Sequence, residues 1–435
     1  MNRRVLKLAF PNIISNLTVP LVGMVDIALM GRQDNPAYLG AIALGATVFT
    51  FIYSGLGFLR MGTSGFTAQS RGSRAIDQSY IILARALIIA IGLGFLLILS
   101  QKAIGWLAFN FVDSSQELKS FAMDYFRIRI FAAPATLGLY AIMGWYIGMQ
   151  DAKTPMWISI LINLINIILS AFFVLKLGME VRGVALGTVI GQYTGFVLGL
   201  ILLLQHSKRI RKYWKIKSIL VWSEIGQFMT VNRDILIRSL LLTGSFYYFT
   251  AASAKLGDEI LAVNSILLQF LWIFSYFIDG FAFAAEALTG KYIGANSISG
   301  LKKAVKTLFV WGVGLSIIVS LVYLAFNQNI VRLLTDQQKI IELSQTYRFW
   351  VIFLPIVSFS AFIWDGIYIG ATEGKTMRNA MVFSSILIFL PALFVLRHYF
   401  GNHGMWIALI IFMLSRGISL HLFYVKRVLS KTHKQ

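Results

Sequence analysis

Runs of about twenty consecutive apolar residues recur along this 435-residue chain, and nothing constrains its fold more. A bilayer's hydrocarbon core is about 30 Å thick and takes roughly 20 helical residues to cross. Twelve such spans are expected, at roughly 8–31, 37–60, 78–107, 120–149, 155–177, 183–206, 226–255, 259–284, 303–327, 346–370, 379–397 and 404–425. Membrane β-strands would instead alternate weakly over about ten residues. Only 13% of residues are charged, against about 25% in soluble domains, and mean hydropathy is +0.74. The first run carries no small-residue cleavage pattern, so it reads as a retained helix and not a signal peptide.

Net charge is +21, and the basic residues cluster. Arg3, Arg4 and Lys7 precede the first span, and Arg71 and Arg74 follow the second. The stretch Lys208, Arg209, Arg211, Lys212, Lys215, Lys217 follows the sixth. Lys302, Lys303 and Lys306 open the ninth, and Lys426, Arg427, Lys431 and Lys434 form the tail. In a twelve-span chain all of these fall on one side, so the positive-inside rule predicts a multi-pass protein of the cell membrane with both termini cytoplasmic. The bilayer, not nucleic acid, is the expected partner of this charge, and the basic stretch suits anionic lipid. A monomer is expected.

The chain repeats itself. Tyr146-Ile-Gly-Met-Gln-Asp151-Ala-Lys-Thr154 reads against Tyr368-Ile-Gly-Ala-Thr-Glu373-Gly-Lys-Thr376, an offset of 222 residues from Tyr146 to Tyr368. The same offset relates Asn12 to Asp234, Tyr125 to Tyr347 and, more loosely, 57–67 to 279–289. An even number of spans per copy makes the repeats parallel. The predicted fold is therefore an all-α integral membrane protein: twelve transmembrane helices in two six-helix lobes related by a parallel pseudo-twofold repeat. The first lobe would take 1–206, a cytoplasmic linker 207–225, and the second lobe 226–435. Such a plan belongs to transporters, with the binding cavity near the midplane.

Chemistry-bearing residues inside the spans are few. Asp26 lies in the first run, where a carboxylate costs about 2.5–3.5 kcal/mol on insertion scales and by default marks a pathway. Topology puts Tyr125, Asn163, Asn166, Ser170 and Thr188 at the outer half of the same lobe. Asn163, Asn166 and Ser170 are three and four apart and share a helix face. Together they could hold a proton on Asp26 or ligate a small cation; the competing reading is polar glue between helices. The second lobe carries Asp234, Arg238, Asp279, Glu286, Asp365 and Arg416 at inner depth. These suggest a paired network, read as a structural lock for Asp234, Arg238 and Arg416, with Asp279 and Asp365 equally open to a second relay. Arg60, Arg85, Arg127 and Arg129 are expected to snorkel toward water.

Enzyme chemistry finds little support. The chain has no cysteine, no H-E-x-x-H and no G-x-x-x-x-G-K-[ST], so neither a thiolate or zinc-protease metal centre nor ATP hydrolysis is expected. Gly55, Gly57, Gly62, Gly65 and Gly72 suit tight helix packing better than a phosphate loop.

Several stretches carry a resemblance: Phe58-Leu-Arg-Met-Gly-Thr-Ser-Gly-Phe-Thr-Ala-Gln69, Gly148-Met-Gln-Asp-Ala-Lys-Thr-Pro155, Asn232-Arg-Asp-Ile-Leu-Ile-Arg238, Asp279-Gly-Phe-Ala-Phe-Ala-Ala-Glu286 and Trp364-Asp-Gly-Ile-Tyr-Ile-Gly-Ala371. With them the chain resembles, over nearly its whole length, the DinF-like branch of the multidrug and toxic compound extrusion (MATE) family. The resemblance implies antiport of organic cations or drug-like small molecules against protons or sodium, and no cofactor. It implies a coupling acid at Asp26, companions at Tyr125, Asn166 and Thr188, and a bending proline at Pro11. Many relatives carry an acid where this chain has Ser170. One acid instead of two makes a two-carboxylate sodium site the weaker expectation and proton coupling the stronger. The remaining alternatives are a sodium-coupled exporter, a lipid-linked precursor flippase of the same superfamily, and, from another class, a non-transporting receptor or channel. The cavity acids argue against the flippase, and the repeat argues against the last.

Overall fold

The computed structural model describes residues 1–110, 112, 114–206, 219 and 221–433, which are almost wholly helical and include no strand. The linker cations from Lys208 to Lys217, and Lys434, lie outside the described residues. The helices are α1 (Asn2–Met30), α2 (Ala37–Leu56), α3 (Phe58–Gly72), α4 (Ile76–Leu99), α5 (Gln101–Asn110), α6 (Gln116–Arg129), α7 (Ala133–Gly148), α8 (Lys153–Leu175) and α9 (Glu180–His206). They continue as α10 (Trp222–Ala254), α11 (Asp258–Gly294), α12 (Ile298–Leu334), α13 (Gln338–Gly370), α14 (Gly374–Val382) and α15 (Leu390–Arg427).

Eleven described segments are long and apolar enough to cross a membrane, and the last, Gly374–Thr432, holds two of the expected spans. The turn between those two is at Gly401, with φ 54° and ψ −130°, backbone that a residue with a Cβ rarely adopts. Just past it, the amides of Asn402 and Asn264 pair reciprocally (2.7 and 3.0 Å), and the Trp406 indole N–H donates to Asn264 Oδ1 (2.9 Å). Each buried polar group there finds a partner, which fixes where the chain reverses.

Several expected boundaries differ; α11 runs on to Gly294, α12 extends from Ile298 to Leu334, and α13 begins at Gln338. The second span does not end at 60: α3 continues it to Gly72, with Leu59, Thr63, Ser64 and Thr67 buried on its face. The third ends early, at Ser100, and the polar Ser100-Gln-Lys segment starts the short helix α5. The fourth is α6 and α7 joined by a single 3-10 turn over Ile130–Ala132, just before Pro134, which has no N–H to continue an α-helical ladder. Helix α1 is continuous through Pro11 and Pro20.

The chain forms two compact units: Ile14–Arg71 with Ala75–Phe228, and Met1–Ile13 with Gly72–Arg74 and Met229–Gln435. The 222-residue repeat recurs as three-dimensional detail within them. Gln150 and Thr372 both take positive φ (57° and 52°), as do Arg74 and Asn296 (62° and 50°). At the first pair the helix ends alike: Asp151 N–H donates to the Tyr146 carbonyl at 2.9 Å, and Glu373 N–H to that of Tyr368 at 3.0 Å. Such bonds satisfy carbonyls that a helix end leaves unpaired. Each acid then accepts from the threonine three residues on, Asp151 from Thr154 Oγ1 (2.7 Å) and Glu373 from Thr376 Oγ1 (3.1 Å). A Cβ on Gly144 would lie 2.4 Å from the Arg60 carbonyl oxygen, and one on Gly366 2.2 Å from that of Ala282. The small residues thus serve close helix approach in both halves, as membrane packing favours.

Candidate functional site

In the first unit, Asp26 lies one turn before Leu29 and Met30, which pack with Phe49, Tyr125, Phe126, Val174, Val181 and Val184. The apolar face of α1 therefore turns its acid toward α2, α6, α8 and α9. Asp26 is 7% exposed, and its Oδ1 is buried with no hydrogen-bond partner among the described residues. Tyr125 is fully buried and senses the Asp26 charge. Four residues further along α6, Arg129 donates from Nη1 to the Tyr125 hydroxyl. Its guanidinium carbon lies 4.7 Å from the centroid of the Phe49 ring and 5.4 Å from that of Tyr125. Its charge acts on Asp26.

The α8 residues divide their work. Asn163 Nδ2 donates to Thr18 Oγ1 (2.7 Å), two turns before Asp26 on α1. Asn166 Nδ2 donates to Thr188 Oγ1 (2.8 Å), which itself donates to the Val184 carbonyl. Ser170 is fully buried against Gly187, where an added Cβ would lie 2.6 Å from its Oγ. The Ser170 Oγ and Asn166 Oδ1 are buried without hydrogen-bond partners among the described residues. Thr18 precedes Asp26 by eight residues and Asn163 precedes Ser170 by seven. Two helices running the same way and pinned at Thr18–Asn163 therefore bring Asp26 and Ser170 to about one height. Asn166 and Thr188 are joined; Asn163 is used lower down.

The second unit holds two separate charge clusters. Asp365, late in α13, accepts from Arg238 Nη2 on α10 and from Arg416 Nη2 on α15 (2.8 Å), and all three side chains are buried. The Asp279 charge acts on both arginines. Asp234 sits four residues before Arg238 yet pairs elsewhere, with Arg378 (2.7 Å) and Arg233 (3.5 Å). Glu286 is buried one turn before Gly290, near where α11 meets Gly370.

Two arginines expected to snorkel do not. Arg85 is 5% exposed and donates to the Ile219 carbonyl (2.8 Å) and to Glu224 (2.5 Å). Arg129 stays on the pocket aromatics, whereas Arg127 is exposed. The signal for Arg129 was its spacing: Tyr125 and Arg129, four apart, share a helix face. Arg378 gave no such sign, since its partner is distant in sequence. At the repeat offset, Asp26 corresponds to Tyr248 (46% exposed) and Arg129 to the buried Val351, so the repeat carries over packing and not charge.

The MatE family model matches residues 11–172 and 235–395, one segment in each half of the repeat. The chain is 37% identical to DNA damage-inducible protein F of Escherichia coli (strain K12), over 95% of this chain and 90% of that protein. It is 23% identical to the probable multidrug resistance protein NorM of Thermotoga maritima, over 98% and 92% of the two lengths. Among solved structures, the outward-facing conformation of a multidrug resistance MATE family transporter of the MOP superfamily superposes with a TM-score of 0.91. It covers 100% of this chain and 97% of that one at 20% identity, a likeness of fold. With the two-lobe helical fold, the internal repeat and the buried intramembrane charges, these matches place the chain in the multidrug and toxic compound extrusion (MatE) family of membrane efflux transporters, which are not enzymes.

Proposed function

We propose that this protein is a secondary antiporter that exports organic cations and drug-like amphiphiles in exchange for protons, with Asp26 as the coupling carboxylate. The observation that carries the reading is an acid buried in α1 whose Oδ1 has no hydrogen-bond partner among the described residues. Ser170 stands at its level, where a second acid would favour a metal cation. Burying a carboxylate with an unsatisfied oxygen is costly, and taking up a proton lowers that cost, so each protonation state favours different surroundings.

In this reading both termini are cytoplasmic and the chain acts as a monomer in the cell membrane. Asp26 takes a proton from the outer side, the pocket rearranges, and the substrate leaves. Deprotonation toward the cytoplasm restores affinity for the next. Exchange of one proton for one monovalent cation moves no net charge, so the pH gradient drives it, with about tenfold accumulation per pH unit at full coupling. A neutral substrate would add the membrane potential, about 2.3 kcal/mol per 100 mV.

The test is efflux of a fluorescent organic cation from proteoliposomes under an imposed pH gradient, wild type against Asp26→Asn. The variant should lose gradient-driven transport while still folding. Undiminished pH-driven transport by Asp26→Asn would sink the assignment, and transport driven by a sodium gradient alone would overturn proton coupling.

A further inference from the structure

Arg129 is the unexpected member of the first-unit pocket. It touches Phe49 of α2 and Tyr125 of α6, and its charge reaches Asp26 on α1, Tyr53 on α2 and Tyr140 on α7. The Arg129 charge acts on all four titratable groups among these, Asp26, Tyr53, Tyr125 and Tyr140. Aromatic contacts hold those walls together: Phe49 stacks on Tyr53 (5.7 Å between centroids), and Tyr53 meets Tyr140 edge-on (6.5 Å). The guanidinium lies across Phe49 and Tyr125 and donates to the Tyr125 hydroxyl. A planar, weakly hydrated cation suits such a place, where an ammonium or an aquated metal ion would keep its water.

We propose that Arg129 is the resident counter-cation of this pocket, standing in for the bound sodium ion that would otherwise balance Asp26. The inference rests on the reading of Asp26 as the coupling carboxylate. With Asp26 ionised, the carboxylate and the Arg129 guanidinium sum to zero; Arg60, whose charge also reaches Tyr140, adds to the positive side, and a sodium ion would make the pocket more positive still. Two like charges sharing one pocket at an effective dielectric of ~20 repel enough to weaken binding roughly a hundredfold. With Asp26 protonated, Arg129 leaves the pocket net positive before any cation enters, so a cationic substrate meets more repulsion than it does in the ionised pocket. One residue thereby makes the site indifferent to sodium and turns proton uptake into substrate release.

The test is sodium binding by the purified full-length protein without any gradient. Binding is read as uptake of radioactive sodium and as thermal stabilisation in sodium chloride against choline chloride at equal ionic strength. Wild type and Arg129→Lys, which keeps the charge, should show no saturable sodium effect at millimolar concentrations. Arg129→Met should gain saturable binding, about a hundredfold tighter than wild type, and adding Asp26→Asn should abolish it. Arg129→Gln serves as a second neutral variant should the methionine form fail to fold. Saturable sodium binding by wild type overturns the inference, as does its absence from a folded neutral variant. Because this readout involves no transport, it stays separate from failure of the coupling assignment, which the Asp26→Asn efflux experiment reports.

Discussion

Removing the carboxylate of Asp365 tests the electrostatics of the second half directly. Asp365 accepts from two buried guanidinium groups, Arg238 and Arg416, the latter at 2.8 Å, and Asp279 acts on both from α11. In Asp365→Ala two buried cations remain, with Asp279 the acid still acting on both. Breaking a buried pair by removing one partner costs about 3–5 kcal/mol, because the uncompensated charge stays in a poorly solvated place. At about 2–4 °C per kcal/mol for a cooperative unit of about 200 residues, the unfolding midpoint should fall by roughly 6–20 °C. Arg416→Met should cost less, since Asp365 keeps Arg238. Combining it with Asp365→Asn should recover part of the loss, with a coupling of about 1 kcal/mol or more. The chain has no cysteine, so thiol-reactive unfolding probes are silent; intrinsic fluorescence of its ten tryptophans, or size-exclusion after a heat step in nanodiscs, is the suitable assay. An Asp365→Ala protein that unfolds within about 2 °C of wild type would refute the reasoning.

Two further outcomes are expected. Gly144→Ala and Gly366→Ala should destabilise by similar amounts, about 1–3 kcal/mol each, because the new methyl would lie 2.4 or 2.2 Å from a backbone oxygen at equivalent places in the two repeats. Heat-step size-exclusion checks this, and a neutral effect at either site would break the equivalence. The orientation can be read on the same cysteine-free background: a cysteine replacing Lys303 should react with an impermeant maleimide only from the cytoplasmic side, and one replacing Asp258 only from outside. Reversed labelling would invert the assignment of the termini.

The sequence alone determined the broad plan. A run of about twenty apolar residues has few ways to satisfy its backbone in lipid other than a helix, so the spans were legible even where their ends were not. The repeat was legible because helix ends and close crossings demand particular residues: Gly144 and Gly366 face backbone, and Asp151 and Glu373 each bind the threonine three residues on, at the start of the next helix. Asp26 stood out because a lone acid in lipid is costly. Tertiary structure decided which charge meets which. Asp234 and Arg238 are four apart on one helix and invited pairing, yet Asp234 takes Arg378 and Arg238 takes Asp365, both more than a hundred residues away. Periodicity tells which face of a helix a side chain is on, but not which neighbour that face meets. Arg129 is the sharpest case: by sequence it is a long cation near a helix end, free to reach water. The packing of α2 and α6 lays it across Phe49 and Tyr125, where its charge acts on Asp26. A guanidinium goes where aromatic faces and a carboxylate converge, and that convergence exists only once the helices are assembled.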